Sequence, residues 1–274
     1  MEIIETVARL REALKGERDV NFVPTMGHLH AGHVSLVRLA AQQRGVVVTS
    51  IFVNPLQFSP HEDFGRYPRS LASDAKLLSR AGCDILFAPG DEEMYPEPQV
   101  CKVQPPAALK DILEGRFRPG FFVGVATVVL KLFGMVRPSL AVFGKKDYQQ
   151  LLVIQNMVRQ LALPVEIVAG ETVRDTGGLA LSSRNSYLSA AERKEAIHLS
   201  IGLRSCAEQV QAGQRDWNGI SNQMVESLKV RGWRPDYVVI RRRSDLGVPR
   251  LKDELVVLGA ARLGNTRLID NIEI

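Results

Sequence analysis

The chain of 274 residues is long enough for one large domain, or a large one joined to a smaller one. Its 45% apolar and 24% charged residues are ordinary for a globular protein, and no apolar run reaches the roughly 18 residues that a bilayer span needs, so no membrane segment is expected. The net charge of +5 suits anionic substrates, but the basic residues are too dispersed to make a nucleic-acid surface, and the densest run, Arg241-Arg242-Arg243, reads as a solvated or interface feature.

In chain order, apolar residues at helical spacing predict a helix over Ile4 to Leu14. Val20 to Pro24 reads as a strand, Ala31 to Arg44 as a helix, and the β-branched run Val46 to Val53 as a strand buried on both faces of a parallel sheet. Strand, helix, strand is a right-handed crossover, and ligands of such sheets gather at the carboxyl ends of the strands. The pattern continues with a helix over Ser70 to Ala81 and a strand over Asp84 to Ala88. Pro89 to Pro106, rich in proline and charge, reads as a connection or lid. Phe121 to Val136 is too long and apolar for a strand and predicts a buried helix, with Thr127 and Lys131 on one face. Lys131 faces either a site or, by snorkelling, the surface.

A strand over Ser139 to Gly144, a helix to about Leu163 and a strand over Val165 to Ala169 follow. The loop from Thr172 to Asn185 then holds glycines, hydroxyls and a guanidinium, a composition suited to a mobile clamp on a polyphosphate. Beyond it come helices over Ala190 to Ala212 and Trp217 to Val230, and strands over Asp236 to Ile240, Glu254 to Ala261 and Thr266 to Ile269. The expected fold is α/β: a parallel sheet with flanking helices over residues 1–185, plus a smaller C-terminal α+β domain over 186–274. Cys83, Cys101 and Cys206 are odd in number and far apart, which predicts reduced thiols. Glu2 and Glu5 argue against a secretory leader, so a cytoplasmic location is expected.

The stretch from Phe22 to Val34 runs from a strand through a loop into a helix whose first turn carries His30 and His33. A helix start offers backbone N–H donors and partial positive charge to an anion, and two histidines add further donors. Gly27 and Gly32 let the backbone approach a bulky ligand. Two other readings stay open here: polar residues of an exposed turn, or a pair of metal ligands lacking a third partner.

Four groups fall on the same expected rim: the histidine loop, Asn54 to Gln57, Lys146 to Gln150, and Ser182 to Arg184. Together they suit attack on the α-phosphorus of a nucleoside triphosphate, where charge builds on the non-bridging oxygens and on departing pyrophosphate. His30 and His33 would serve the α- and β-phosphates, Lys146 and Arg184 the developing charge, and Ser182 and Ser183 the outer phosphates. Gln57 and Gln150 are neutral hydrogen-bonding groups suited to a small hydroxylated substrate.

Five ordered motifs carry a resemblance: Pro24-Thr-Met-Gly-His-Leu-His-Ala-Gly-His33, Phe52-Val-Asn-Pro-Leu-Gln-Phe58, Arg66-Tyr-Pro-Arg69, Phe143-Gly-Lys-Lys-Asp-Tyr-Gln-Gln150 and Leu179-Ala-Leu-Ser-Ser-Arg-Asn185. With the Arg267-Leu-Ile-Asp-Asn271 ending, the chain resembles the pantothenate synthetase (pantoate–beta-alanine ligase) family along nearly its whole length. The resemblance implies a Rossmann-like ATP- and pantoate-binding domain with a smaller lid domain, and a homodimer. It implies ATP-dependent condensation of pantoate with beta-alanine through a pantoyl adenylate, releasing pyrophosphate and AMP, with Mg2+ accompanying ATP. Carried onto this sequence, Met26, Gly27, His28, Leu29, His30, Ala31, Gly32 and His33 would bind ATP, with His33 as the family's proton donor. Gly144, Lys145, Lys146, Asp147, Val173, Leu181, Ser182, Ser183 and Arg184 would complete that site. His30, Lys146 and Arg184 would share the catalytic work with His33. Gln57 and Gln150 would hold pantoate, Gln57 would also touch beta-alanine, and Asp74 would lie near the magnesium.

Several positions depart from the family's usual pattern: Phe121 for a histidine, Val123 for an arginine, Ser139 for an aspartate, Lys145 for a glutamate and Gly177 for an aspartate. Lys145 beside Lys146 would add positive charge near the triphosphate and slow pyrophosphate release. Two other functions remain compatible with the residues: nucleotidyl transfer to a phosphorylated small molecule, and nucleotide binding without catalysis. The first would need basic residues where Gln57 and Gln150 stand.

Overall fold

The computed structural model describes residues 1–58 and 64–274. The chain divides into two compact units, one of residues 1–145 and 150–171, the other of residues 146–149 and 172–274.

The first unit opens with β1 (Glu2–Ile4), α1 (Val7–Ala13), β2 (Val20–Thr25), α2 (Ala31–Ala41), β3 (Val46–Ile51), α3 (Leu71–Ala81) and β4 (Ile85–Phe87). Three single-turn helices follow, α4 (Asp91–Met94), α5 (Ala107–Lys110) and α6 (Glu114–Phe117), before the long α7 (Phe121–Val136). β5 (Leu140–Gly144), α8 (Tyr148–Gln160) and β6 (Glu166–Gly170) complete the αβ pattern, with the first residues of α8 grouping with the second unit. The strands form one sheet in the order β1-β4-β3-β2-β5-β6, and every pairing is parallel.

Alternate strand residues face two apolar layers. Phe22, Val48 and Phe87 pack with α1, α7 and α8, while Val23, Val47, Leu86 and Val142 pack with Val37 and Ala40 of α2 and Leu78 of α3. β3 is buried on both faces, as a parallel interior strand must be: Val47, Val48, Thr49 and Ser50 are all at most 2% exposed.

The N-terminus differs from the helix expected over Ile4 to Leu14. Ile4 instead closes an edge strand, with Glu2 opposite Ile85 and Ile4 opposite Phe87. Three residues are too few for an alternation to register in the sequence, and the pairing partner is more than eighty positions away. Thr6 then caps α1 by accepting from the N–H of Arg9 at 3.3 Å.

The second unit contains α9 (Ala190–Gln211) and α10 (Trp217–Val230) packed on an antiparallel sheet of β7 (Arg234–Arg242), β8 (Leu255–Leu263) and β9 (Thr266–Glu273), in that order. Ser189 and Glu192 form a reciprocal capping box at the start of α9. Pro235 lies within β7, which starts earlier than the sequence predicts; an edge strand tolerates proline, and the pairing shifts register between Pro235 and Tyr237. Two arginines of the Arg241-Arg242-Arg243 run are tied down within this unit: Arg242 pairs with Asp245 and Asp253, and Arg243 with Glu254 and Glu273. Cys83 and Cys206 are buried free thiols and Cys101 an exposed one. Among the described residues, no helix is long and apolar enough to cross a membrane.

Candidate active site

The strand order reverses between β2 and β5: the chain leaves β2 toward β3 and β4, but leaves β5 toward β6. A crevice at the carboxyl ends of two such strands is where open parallel sheets bind ligands. Met26 follows β2 there, and Lys145 follows Gly144 at the end of β5.

The histidine loop is built on left-handed backbone. Gly27 has φ +81° and His28 φ +51°, a pair of conformations that turns successive N–H groups to one side. Those of His28 and Leu29 donate to Asp74 Oδ2 and Oδ1 at 2.8 and 3.0 Å. Ser70 Oγ donates to the same carboxylate at 3.0 Å, and Asp74 is only 2% exposed. A side chain at Gly27 would crowd Ile51 at 3.0 Å and Asp74 at 3.3 Å.

His30 stands just outside α2 as its N-cap, with extended backbone, and is not part of the first helical turn as the spacing suggested. Its Nδ1 accepts from the N–H of Gly32 at 3.1 Å, and Nδ1 of His33 accepts from the N–H of His30 at 3.3 Å. An imidazole whose Nδ1 accepts carries its neutral-form proton on Nε2. The two rings lie 4.1 Å apart, and in the neutral form each would offer an Nε2–H donor. The expectation that bare helix-start N–H groups receive the anion is narrowed. The N–H groups of Gly27, His28, Leu29, His30 and Gly32 are all bonded within the protein.

A second cluster surrounds Gln57. Tyr95 Oη donates to Asn54 Oδ1 at 2.7 Å, Asn54 Nδ2 donates to Gln57 Oε1 at 3.1 Å, and Gln57 Nε2 reaches Met26 Sδ at 3.0 Å. Burial, with the Asp91 charge as a smaller contribution, pushes the Tyr95 phenol well above its ordinary range, so it stays a proton donor and fixes the direction of the whole chain of bonds. α7 comes so close that a Cβ at Gly124 would sit 2.1 Å from the Leu56 carbonyl oxygen. Arg118 Nη2 donates to the Gln57 carbonyl at 3.2 Å, and its guanidinium lies 3.6 Å above the Phe121 ring.

The Thr127/Lys131 face of α7 holds the Pro89–Pro106 connection. Thr127 Oγ1 accepts from the N–H of Val103, while Lys131 Nζ donates to Gln99 Oε1 at 2.8 Å and lies 4.8 Å from the Tyr95 ring centroid. Lys131 is therefore engaged by the connection itself, a third outcome beside the site-facing and snorkelling readings.

In the second unit, residues 173–181, the first part of the loop read as a clamp, form a tight hairpin. Leu181 N–H donates to the Val173 carbonyl, Arg174 and Ala180 form a bridge, and Asp175 Oδ1 accepts from Gly177 and Leu179. The hairpin leads into Ser182, whose Oγ accepts from the N–H of Arg184 at 3.3 Å and starts a short 3-10 helix, Ser183–Tyr187. Lys146 Nζ is 3.8 Å from Asp147 Oδ2, and the Lys146 carbonyl accepts from Asn271 Nδ2 at 2.9 Å. The residues expected at the site are thus divided. Met26 to His33, Gln57, Asp74, Gly144, Lys145 and Gln150 belong to the first unit; Lys146, Asp147, Val173 and Leu181 to Arg184 belong to the second.

The family model for pantoate-beta-alanine ligase matches residues 2–273. The chain belongs to that family. A pantothenate synthetase of Leptothrix cholodnii is 57% identical over 286 aligned positions, covering 100% of both chains. Among solved structures, a pantothenate synthetase from Thermus thermophilus is 49% identical with a TM-score of 0.94, covering 100% of this chain and 99% of that one. A pantoate-beta-alanine ligase from Francisella tularensis, complexed with beta-gamma ATP and beta-alanine, is 32% identical with a TM-score of 0.81, covering 100% and 97%.

Within a pantoate-beta-alanine ligase, the unusual residues of this chain have local accounts. Phe121 serves as the platform for Arg118, and Ser139 Oγ accepts from the N–H of Val20 at 3.1 Å, fastening the start of β5 to that of β2. Gly177 leaves room for Ile197, whose Cγ2 would be 3.2 Å from a Cβ. Lys145 Nζ pairs with Glu171 Oε1 at 2.5 Å, so its charge has a partner at the end of the neighbouring strand. Nothing in the structure explains Val123.

Among the described residues, no group of three or more His, Cys, Asp or Glu side chains is placed to hold a metal. Asp74 takes three donors, from His28, Leu29 and Ser70, and through the first two it holds the histidine loop.

Tyr95 and Arg118 were not singled out from the sequence. Tyr95 lies in a proline-rich connection, where neither periodicity nor spacing marks a site; the Arg118-Pro-Gly turn before a long apolar helix was the one usable signal for Arg118.

Proposed function

We propose that this chain joins pantoate to beta-alanine in an ATP-dependent, AMP-forming ligation that passes through a pantoyl adenylate. The observation that carries the proposal is the family match over residues 2–273, supported by two imidazoles whose Nδ1 atoms accept from backbone N–H groups at the reversal point of a parallel sheet. A free carboxylate is a poor acyl donor. Its oxygen attacks the α-phosphorus of ATP, the bond to pyrophosphate breaks, and the mixed anhydride then has AMP as leaving group. The beta-alanine amine attacks the acyl carbon, AMP departs and the nitrogen loses a proton.

In this reading the Nε2–H groups of His30 and His33 donate to the α- and β-phosphates, and Lys146 and Arg184 meet charge that is greater in the transition state than in bound ATP. Met26 to His33, Gly144 to Asp147, Val173 and Leu181 to Arg184 form the ATP site. Gln57 and Gln150 hold pantoate by neutral hydrogen bonds, and Gln57 also touches beta-alanine. Mg2+ enters on the triphosphate, an ion that commonly keeps its waters and needs few protein ligands. Residues 1–185 carry the ATP and pantoate sites and 186–274 the smaller covering domain, the hairpin being counted with the ATP site for the sake of Ser182 to Arg184. We further assign a cytoplasmic homodimer.

Exchange of labelled pyrophosphate into ATP tests the first half-reaction. It is expected only when pantoate is present, with AMP released on adding beta-alanine. Exchange without pantoate, or none with it, would overturn the proposal. His33→Ala is expected to depress exchange far more than pantoate binding.

A further inference from the structure

The Arg267-Leu-Ile-Asp-Asn271 segment has no part in the reaction as derived so far, yet β9 reaches two segments of the second unit assigned to ATP. Asp270, 4% exposed, receives a bidentate bond from Arg174: Nη1 to Oδ2 at 2.6 Å and Nη2 to Oδ1 at 2.8 Å. The same guanidinium donates to the Gly178 carbonyl at 3.1 Å and to the Asn271 carbonyl at 3.3 Å. It therefore clamps both ends of the turn in the hairpin that runs directly into Ser182. Asn271, 6% exposed, donates from Nδ2 to the Lys146 carbonyl at 2.9 Å. Two residues on, Glu273 Oε1 accepts from Tyr148 Oη at 3.1 Å and from Arg243 Nη2 at 2.9 Å.

These anchors stand on a strand whose register is set by unbroken pairing with β8, from Leu263 opposite Thr266 to Val256 opposite Glu273. A site held by a strand is placed more narrowly than one held by a loop, and displacement of about 1 Å can cost roughly 100-fold in rate. Asp270 orients Arg174 and Asn271 holds a main-chain carbonyl, so each acts through another group.

We propose that Asp270 and Asn271 are positioning residues for the triphosphate: Asp270, through Arg174, sets the hairpin that carries Ser182 to Arg184, and Asn271 sets Lys146. The proposal rests on the assignment of Lys146 and Arg184 to ATP.

The test compares wild type with Asp270→Asn, Arg174→Gln, the double variant and Asn271→Ser, each checked for folding by circular dichroism and thermal melting. Expected are losses of about 10- to 100-fold in kcat/KM for ATP in pyrophosphate exchange, with KM for pantoate within about twofold of wild type. The double variant should be no worse than the poorer single, because both remove one link. A folded Asn271→Ser or Asp270→Asn protein with wild-type kcat/KM for ATP overturns the proposal, as does an equal loss toward pantoate; lowered melting temperature alone is the signature of a merely structural role. If wild type shows no pantoate-dependent exchange, the ligase reading fails instead, and calorimetric ATP binding decides the positioning claim: unchanged affinity in the variants refutes it.

Discussion

Asp74→Asn separates two roles for one carboxylate. The side chain is buried, and its oxygens accept from His28 N–H, Leu29 N–H and Ser70 Oγ. An amide in the same place retains one acceptor. Its oxygen should take the Oδ2 position, where two donors converge, leaving the NH2 group facing the N–H of Leu29. Two charge-assisted bonds become neutral and one buried N–H loses its acceptor, for a total of about 3 kcal/mol. Because the bonds shape Gly27 to Leu29, part of that loss should appear in ATP affinity and part in folding. Chemical denaturation should show a lower midpoint at unchanged slope, and calorimetric titration weaker ATP binding even without magnesium. A variant of wild-type stability that binds metal-free ATP normally, but needs far more magnesium for exchange, would refute the reasoning and make Asp74 a metal contact.

Two glycines of α7 make a matched pair. Gly124→Ala forces a methyl against the Leu56 carbonyl and should cost about 1–3 kcal/mol in denaturant melts and raise KM for pantoate, whereas Gly134→Ala, with nothing within 4 Å, should stabilise by about 0.5–1 kcal/mol. Equal effects would mean that the close approach of α7 to residues 54–57 is not real. Glu195 is held below its ordinary 4.5, first by the bond from Arg231 and also by Trp233. A depressed carboxylate stabilises the fold above its unfolded pKa and loses that contribution as pH falls through the folded one. Glu195→Gln should therefore melt lower than wild type near pH 7, by about 0.5–1 kcal/mol for so exposed a pair, with the difference vanishing below pH 4.5. A difference independent of pH would refute the ion-pair account.

Much of the fold was legible because the signals were long and local. β3 announced itself as a β-branched run and α7 as an apolar stretch too long for a strand. What was not legible depended on distant partners or on too few residues. β1 exists because β4 offers it an edge, and α4 to α6 are single turns that no periodicity marks. At the site, His30 and His33 stood out by type and spacing, but not the use of both Nδ1 atoms as acceptors, since histidine is an uncommon N-cap. The partners of Asp74, Lys131 and Lys145 are set by tertiary contacts over 26 to 46 positions, which spacing in the sequence does not mark.

The central claim is attack by a pantoate carboxylate oxygen on the α-phosphorus of ATP. Pantoate labelled with oxygen-18 in its carboxylate tests it directly, by mass spectrometry of the products after turnover with beta-alanine. One labelled oxygen should leave in the phosphate of AMP, with none in pyrophosphate. Label in inorganic phosphate together with ADP would place the attack at the γ-phosphorus, and AMP free of label would exclude the adenylate; either result contradicts the account.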